Sequence, residues 1–565
     1  MDLNGKNVIY AGGFGGIGQA CVKELLEKGV KNLAILDLTE NKELLEALQK
    51  SYPTTIIHFI QFDVSKKERI TAAFKEAVAK MQHFDVLVNG CGIMMDEHVD
   101  LTVETNLLGV IHSTLTALPY MDKSAGGRGG IIVNVSSVAG LEATGLFAIY
   151  SATKHGVTAF TRCMADKIYF DRFGVSFITI CPGITDTNIF RNAHKNVTFE
   201  FAQEPAKIFY KAKLQTAEIC AKNMIKVMET GKNGGAYILD IGNIEEVTFP
   251  ELWKPSFESS CSIADSPLPK HQWSASSSRS LRAPSQGGVR YFLIRLSQKK
   301  FKRNIIMELS GKNVIYEGGF GGIGHCCLKE FLAKGVQNLA IFDLKENSEL
   351  LESLKKSYPN ANIFFVQFDI TKKDSIAVAF KVAVEKMGHF DLLVHGCGMM
   401  DDNHVELMID INFKGLVLST FAALPYMDKS TGGRGGVIIN ISSVAGLEPL
   451  AGLSVYSAAK HGVTSFTRCM AHPRYLEHHG VSFITICPGV TETELVVNPG
   501  QKATFAFAAI LAGCLDDASR QSPKICAQNL VKLAETGKNG GVYMLDLGEI
   551  KEVTFPVMWT PVFKS

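Results

Sequence analysis

The stretch GGFGGIG occupies residues 12–18, directly after the apolar run KNVIYA (6–11), and it returns unchanged at 318–324. Glycine lacks a Cβ, so such a run permits a tight turn and a close approach of backbone to a ligand or a neighbouring element. An amphipathic pattern runs on from Gly16 to Lys28, so the segment reads as strand, turn, helix. A helix opening on that turn offers free N–H groups and its positive dipole end to an anion. The second occurrence reveals a repeat. At an offset of 306 the chain aligns with itself without a gap: IYSATKHGVTAFTRCMA with VYSAAKHGVTSFTRCMA, GKNGGAYILDIG with GKNGGVYMLDLG, Met307 with Met1. A period of that length is a whole domain and not a solenoid unit.

The repeat divides the chain into 1–259 and 307–565, joined by a segment at 260–306 that matches neither copy. The segment is Ser-rich and basic toward its end, with Asp265 its only acid. It cannot bury a core and is expected to be a flexible linker. As a coil its length spans roughly 35–40 Å on average, enough for the copies to meet within one chain.

Further apolar runs follow the first: NLAILD (32–37), IIHFIQFDV (56–64), FDVLVNG (84–90), GGIIVNVS (129–136), VSFITIC (175–181) and GAYILDI (235–241). Helical patterns such as ERITAAFKEAVAKM and TAEICAKNMIKVME lie between them. Strands that are apolar throughout and alternate with helices predict a parallel sheet covered on both faces. With right-handed crossovers this is the α/β class, a doubly wound parallel Rossmann sheet, formed once per copy.

The chain is 46% hydrophobic and 20% charged, with a formal net charge of +2. That balance offers no argument for nucleic acid or membrane as a partner. The start MDLNGKNVIY has no basic region followed by an apolar run, so no signal peptide is expected. No uninterrupted apolar run reaches transmembrane length, and no spanning helix is expected. The 13 cysteines include no CxxC; five recur in both copies, as in Cys21/Cys327 and Cys181/Cys487. They read as buried free thiols of a cytoplasmic chain, with no metal site. Asn134-Val-Ser136 and Asn196-Val-Thr198 match the glycosylation pattern, but both are discounted for such a chain, the first also because it falls in an apparent buried strand.

Asp37 ends the second strand, 19 residues after Gly18. An acid there accepts hydrogen bonds from an adenosine ribose and repels a 2′-phosphate, and no Arg or Lys stands in the turn or directly after Asp37. NAD is therefore expected over NADP. Tyr150 and Lys154 are four residues apart, on one helical face. A phenol is a poor base because its ordinary pKa is about 10, and a neighbouring ammonium is expected to lower it. Ser137 follows the strand IIVNV at the sheet edge where ligands of such folds bind. Its hydroxyl suits a substrate oxygen while Tyr150 moves the proton.

With Asn106 in ETNLLG, these residues resemble the short-chain dehydrogenase/reductase family, almost end to end in each copy. The resemblance implies a tetrad of Asn106, Ser137, Tyr150 and Lys154, repeated as Asn412, Ser443, Tyr456 and Lys460. Tyr would be the acid/base and Ser would orient the substrate oxygen. Lys would lower the Tyr pKa and bind the nicotinamide ribose, and Asn would support a water relay. Implied NAD contacts are Gly12, Gly13, Gly16, Ile17 and Gly18 in the turn, with Asp37 and, at the adenine, Asp63. Asn89 and Gly90 in NGCG, and Pro182, Gly183 and Thr187 in PGITDT, complete the set, besides Tyr150 and Lys154. In copy two the counterparts are Gly318, Gly322, Gly324, Asp343, Asp369 and Thr493.

Within the family the chain is most similar to the insect-type alcohol dehydrogenases, including development-specific and fat-body proteins of flies. The resemblance implies NAD-dependent oxidation of an alcohol, secondary and apolar, by a homodimer or by an intrachain pseudo-dimer of the two copies. NAD-linked 15-hydroxyprostaglandin dehydrogenases are also similar around SSVAGL, but they carry a Gln where Phe147 and Leu453 stand here. A non-catalytic NAD-binding or storage protein on the same fold is the reading from another class. Residues 188–215 are expected to form a substrate lid. Copy two departs at two positions, Glu317 for Ala11 and His395 for Asn89. A carboxylate at the glycine turn is expected to weaken NAD binding by repulsion, and His395 reads as a tolerated loop substitution.

Overall fold

A computed structural model describes residues 1–257 and 304–563. The expected linker lies outside the described residues except for 304–306. There Ile305 is buried against copy two, its N–H donating to the Gly537 carbonyl at 2.7 Å.

Copy one forms β1 (Asn7–Ala11), β2 (Asn32–Asp37), β3 (Ile56–Gln61), β4 (Val86–Asn89), β5 (Gly130–Val135), β6 (Val175–Pro182), β7 (Ala236–Asp240) and β8 (Asn243–Glu246). Copy two repeats them as β9 (Asn313–Glu317), β10 (Asn338–Asp343), β11 (Asn362–Gln367), β12 (Leu392–His395), β13 (Gly436–Ile441), β14 (Val481–Pro488), β15 (Val542–Asp546) and β16 (Glu549–Glu552). Each sheet has eight strands, in the order β3-β2-β1-β4-β5-β6-β7-β8 and its equivalent. All pairings are parallel except the terminal one, β7 with β8. The doubly wound class is as expected. Strand order reverses between β1 and β4, which opens a crevice at their C-terminal ends.

The seventh predicted strand is not the last. β8 returns antiparallel through Ile241 (φ 48°) and Gly242 (φ 81°). A bulky residue at positive φ is not a turn signal, and the charged edge strand NIEE has no apolar pattern, so its sequence hid it.

The two copies share one contiguous core. Helices Ala148–Met164 and Ser454–Met470, which carry the Tyr–Lys pairs, lie against each other. Small residues permit this approach: a Cβ added to Gly156 would sit 3.1 Å from the Ala458 carbonyl oxygen. Ser465 Oγ meets His155 Nδ1 at 3.0 Å, and Arg162 pairs with Glu448 at 2.8 Å. Aromatic rings interlock at the flanks, with Tyr169 and Phe173 against Phe505 and Phe507. Each copy also sends its tail onto the other. Trp253 Nε1 donates to Asp546 Oδ2 at 2.8 Å, and Trp559 Nε1 donates to Asp240 Oδ2 at 2.9 Å. Among the described residues, one helical stretch, Val405–Met427, is long and apolar enough to cross a membrane. Its apolar window is 61% buried inside the protein, as in a core helix.

Candidate active site

The glycine turn joins β1 to helix Gly16–Glu27. Gly12 adopts φ +82°, a left-handed conformation, and an added Cβ would lie 2.9 Å from the Cys91 amide nitrogen. At Gly18 a Cβ would fall 2.1 Å from the Gly12 carbonyl oxygen. At these two positions the turn excludes a side chain and leaves bare backbone. Asp37 pins it, accepting from the N–H of Phe14 and of Leu38, both at 2.8 Å.

The crevice opens into a cleft of about 620 Å³. Gly12, Gly16, Ile17, Gly18, Asp37 and Asp63 line it, together with Gly90, Pro182, Gly183 and Thr187, the last against Gly16. Ser137, Tyr150 and Lys154 line the same cleft, with the Ser137 hydroxyl bonded to the Tyr150 phenol. Three expected residues stand elsewhere. Gly13 lets the helix pack on β2, since its Cβ would meet Ile35 at 2.8 Å. Asn89 is buried, donating to Asn134 Oδ1 at 2.8 Å and Thr114 Oγ1 at 3.1 Å. Asn106 sits in a π-helical turn, Glu104–Leu108, a device common at functional sites. Its amide is bonded to Ile93, accepting from the N–H and donating to the carbonyl at 2.8 Å each.

The Tyr–Lys relation differs from expectation. Lys154 Nζ lies 5.8 Å from the Tyr150 ring centroid and donates to the Val135 carbonyl at 2.9 Å. Burial pushes the Tyr150 phenol above its usual value, and the Ser137 hydroxyl pulls the other way. Burial also pulls Lys154 down to about 8. In copy two the Tyr456 phenol is pushed up to about 12 and Lys460 down to about 8, again by burial.

The cleft of copy two measures about 470 Å³. Gly318, Gly322 and Gly324 line it, with Asn412, Thr493 and the Ser443, Tyr456, Lys460 group. Asp343 and Asp369 are not in this lining. Asp343 holds the Phe320 amide at 2.9 Å, and Asp369 pairs with Lys372 at 2.9 Å.

The two departures of copy two prove to be one coupled exchange. His395 ends β12 rather than lying in a loop, and its Nδ1 meets Glu317 Oε2 at 2.6 Å. Ser419 hydrogen-bonds the other Glu317 oxygen, and Thr420 Oγ1 lies 3.1 Å from His395 Nε2. Glu317 and His395 are both buried, and neither lines the cleft. The carboxylate is turned to helix Gly415–Met427 and bonded there and to His395, instead of pointing into the glycine turn.

Sequence reasoning missed Asp96. Its buried carboxylate accepts from the N–H of Ile149 (2.8 Å) and of Tyr150 (2.9 Å), at the start of the Tyr-bearing helix. Thr198, in the segment expected to form a lid, donates to it at 2.8 Å. Asp402 does the same for Val455, Tyr456 and Thr504. Thr198 and Thr504 extend these caps, their Oγ1 atoms accepting from the N–H of Ala148 at 2.8 Å and of Ser454 at 2.9 Å. Asp96 is thus a positioning residue for Tyr150. The only sequence signal was its recurrence in both copies, which many inert residues share.

Burial raises Asp96 from 3.8 to about 6, outweighing the hydrogen bonds that lower it. A carboxyl raised on folding contributes stability that is fully present below its unfolded pKa and lost as pH climbs through the folded one. Asp96→Asn should therefore remove a stability loss of about 2–3 kcal/mol between about pH 4 and 6. We predict that it also lowers kcat roughly tenfold, within the cost of a misplaced catalytic group, with nucleotide affinity retained. Unfolding at several pH values and steady-state rates check this. A variant with the parent's pH slope and kcat defeats it.

The short chain dehydrogenase family model matches residues 6–198 and again 312–503. The chain belongs to the short chain dehydrogenase family. Its members most similar to this chain include alcohol dehydrogenase 2 of Ceratitis capitata, 39% identical over 257 residues, which covers 46% of this chain and all of that protein. Fat body protein 2 of Drosophila melanogaster is 40% identical over 254 residues, 45% of this chain and 99% of that protein. Among solved structures, the NADP-bound N-domain of a bacterial malonyl-CoA reductase spans 92% of this chain and 96% of its own, with a TM-score of 0.62. At 14% identity that likeness concerns the fold alone. This short chain dehydrogenase is thus a tandem pair of two family domains of the insect alcohol dehydrogenase branch.

Proposed function

We propose that each copy oxidises an apolar secondary alcohol to its ketone with NAD, through Tyr150 in copy one and Tyr456 in copy two. The observation carrying this reading is the presence of Ser137, Tyr150 and Lys154 in one cleft with the glycine turn, and of the same trio in copy two. NAD held along the glycine turn by Gly12, Gly16 and Gly18 would supply the hydride acceptor for the carbinol carbon. The Ser137 hydroxyl holds the substrate oxygen, and the Tyr150 phenolate takes its proton. The Lys154 ammonium favours the phenolate through space. The backbone amides at the start of helix Gly16–Glu27 suit a pyrophosphate, and Asp37 suits a ribose with free hydroxyls. Met94, Leu101 and Ile189 in the cleft wall support an apolar substrate.

The free, mostly buried cysteines among the described residues support a cytoplasmic setting. The packed Tyr-bearing helices support work as an intrachain pair. Initial rates with NAD and NADP over a panel of secondary alcohols test the reading. We expect NAD to be preferred at least about tenfold, because a 2′-phosphate would meet the Asp37 charge. Equal use of NADP sinks the cofactor assignment. Nucleotide binding without turnover of any alcohol sinks the dehydrogenase reading and favours a binding or storage role.

A further inference from the structure

The two clefts share their catalytic groups but not their substrate walls. Three aromatic side chains of copy one line its cleft beside Tyr150: Phe147, Phe190 and Phe209. Phe147 and Phe209 face each other, with centroids 5.9 Å apart and planes at 46°. Phe190, on the turn Asn188–Arg191, is held edge-on by Tyr210 at 5.6 Å. A fourth ring arrives from copy two. Trp559 lines the same cleft, and its Nε1–H is anchored on Asp240.

At the offset of 306, the three phenylalanines become Leu453, Val496 and Leu515. Val496 and Leu515 line cleft two, while Leu453 is buried behind it. Trp253 repeats the tail anchor on Asp546, yet it does not line cleft two. No phenylalanine or tryptophan among the described residues lines that cleft. Lys502 does reach it, but its ammonium is engaged by the Glu494 and Leu495 carbonyls.

Aromatic rings attract one another in tilted and edge-to-face arrangements beyond what area burial supplies. Branched aliphatic walls offer no such geometry. Resting on the dehydrogenase reading above, we propose that copy one selects alcohols bearing an aryl group on the carbinol carbon, and that copy two selects compact aliphatic ones. Both sites perform the same step: the carbinol C–H leaves as hydride to NAD, the O–H proton passes to Tyr, and the C=O bond forms. The aromatic walls decide only what hangs beside the reacting carbon.

The test uses the full chain with one site silenced at a time. Tyr456→Phe reports on copy one and Tyr150→Phe on copy two, each assayed with 1-phenylethanol and 2-butanol. The aryl-to-alkyl ratio of kcat/KM should be at least about tenfold higher in copy one. Adding Phe147→Leu, Phe190→Val and Phe209→Leu should bring that ratio down to the value of copy two. Phe209→Leu alone, the milder change, should lower it part of the way. Equal ratios at the two sites, or a ratio untouched by Phe209→Leu, overturn the proposal. Equilibrium dialysis with acetophenone and 2-butanone separates this from failure of the dehydrogenase reading. If no alcohol turns over, acetophenone retained in preference to butanone, and released by Phe209→Leu, still supports the aromatic site. No such preference overturns it.

Discussion

Replacing Tyr150 and Tyr456 together by phenylalanine should lower alcohol oxidation by roughly 10²–10⁴-fold, the usual contribution of a positioned acid/base. Nucleotide binding should survive, because the turn and Asp37 are untouched. The reason lies in the inventory of each cleft. Tyr150 faces the space beside Ser137, whereas Lys154 Nζ is committed to the Val135 carbonyl and lies 5.8 Å from the ring. Asn106 is committed to Ile93. Neither stands ready to replace the phenol. Each single replacement should silence one copy only.

The pH dependence follows from the same burial. Both phenols sit above their ordinary value, Tyr456 at about 12, so the phenolate base grows scarcer as pH falls. Oxidation should rise with pH through the neutral range. The lysines, pulled down to about 8, lose their ammonium charge above that pH, and the rise should flatten there. Stopped-flow or steady-state NADH appearance against pH checks both limbs. A flat profile, or a double variant with parental turnover, removes Tyr from the proton step.

The second large effect is expected in copy two and concerns stability. Glu317→Ala leaves His395 buried without its 2.6 Å partner, and His395→Asn strands the Glu317 carboxylate. Breaking a buried pair at one end costs about 3–5 kcal/mol when the survivor is charged, and about 1–3 kcal/mol when it is neutral. Making both changes should restore most of this, because it rebuilds the arrangement of copy one. There Asn89 bonds Asn134 and Thr114, and their counterparts Asn440 and Thr420 are in place. Asn440 Oδ1 is without a partner in copy two and would regain its donor. Ser419 would revert to the state of Ser113, which copy one tolerates buried and unbonded. Hydrogen exchange over β9 and β12 in the full chain, arranged as a double-mutant cycle, measures the coupling. Additive losses, or single variants as protected as the parent, would show that the pair contributes nothing.

Much of this protein was legible in its sequence. A glycine run between an apolar strand and an amphipathic helix specifies a local turn, and alternation of uniformly apolar strands with helices leaves few alternatives to a doubly wound sheet. The offset of 306 announced two domains, and the four-residue spacing placed Tyr150 and Lys154 on one face. These are short-range regularities, carried by backbone conformation and period. Tertiary structure decided the rest. Asp96 reaches the Tyr150 helix across 53 residues, Glu317 finds His395 across 78, and Trp559 crosses 319 residues to Asp240 in the other copy. The direction of Lys154 and the raised phenol likewise depend on what is buried around them, not on their spacing. No periodic pattern encodes such meetings. They arise where desolvated polar groups must find partners in whatever the fold brings beside them, and the fold brings them from far along the chain.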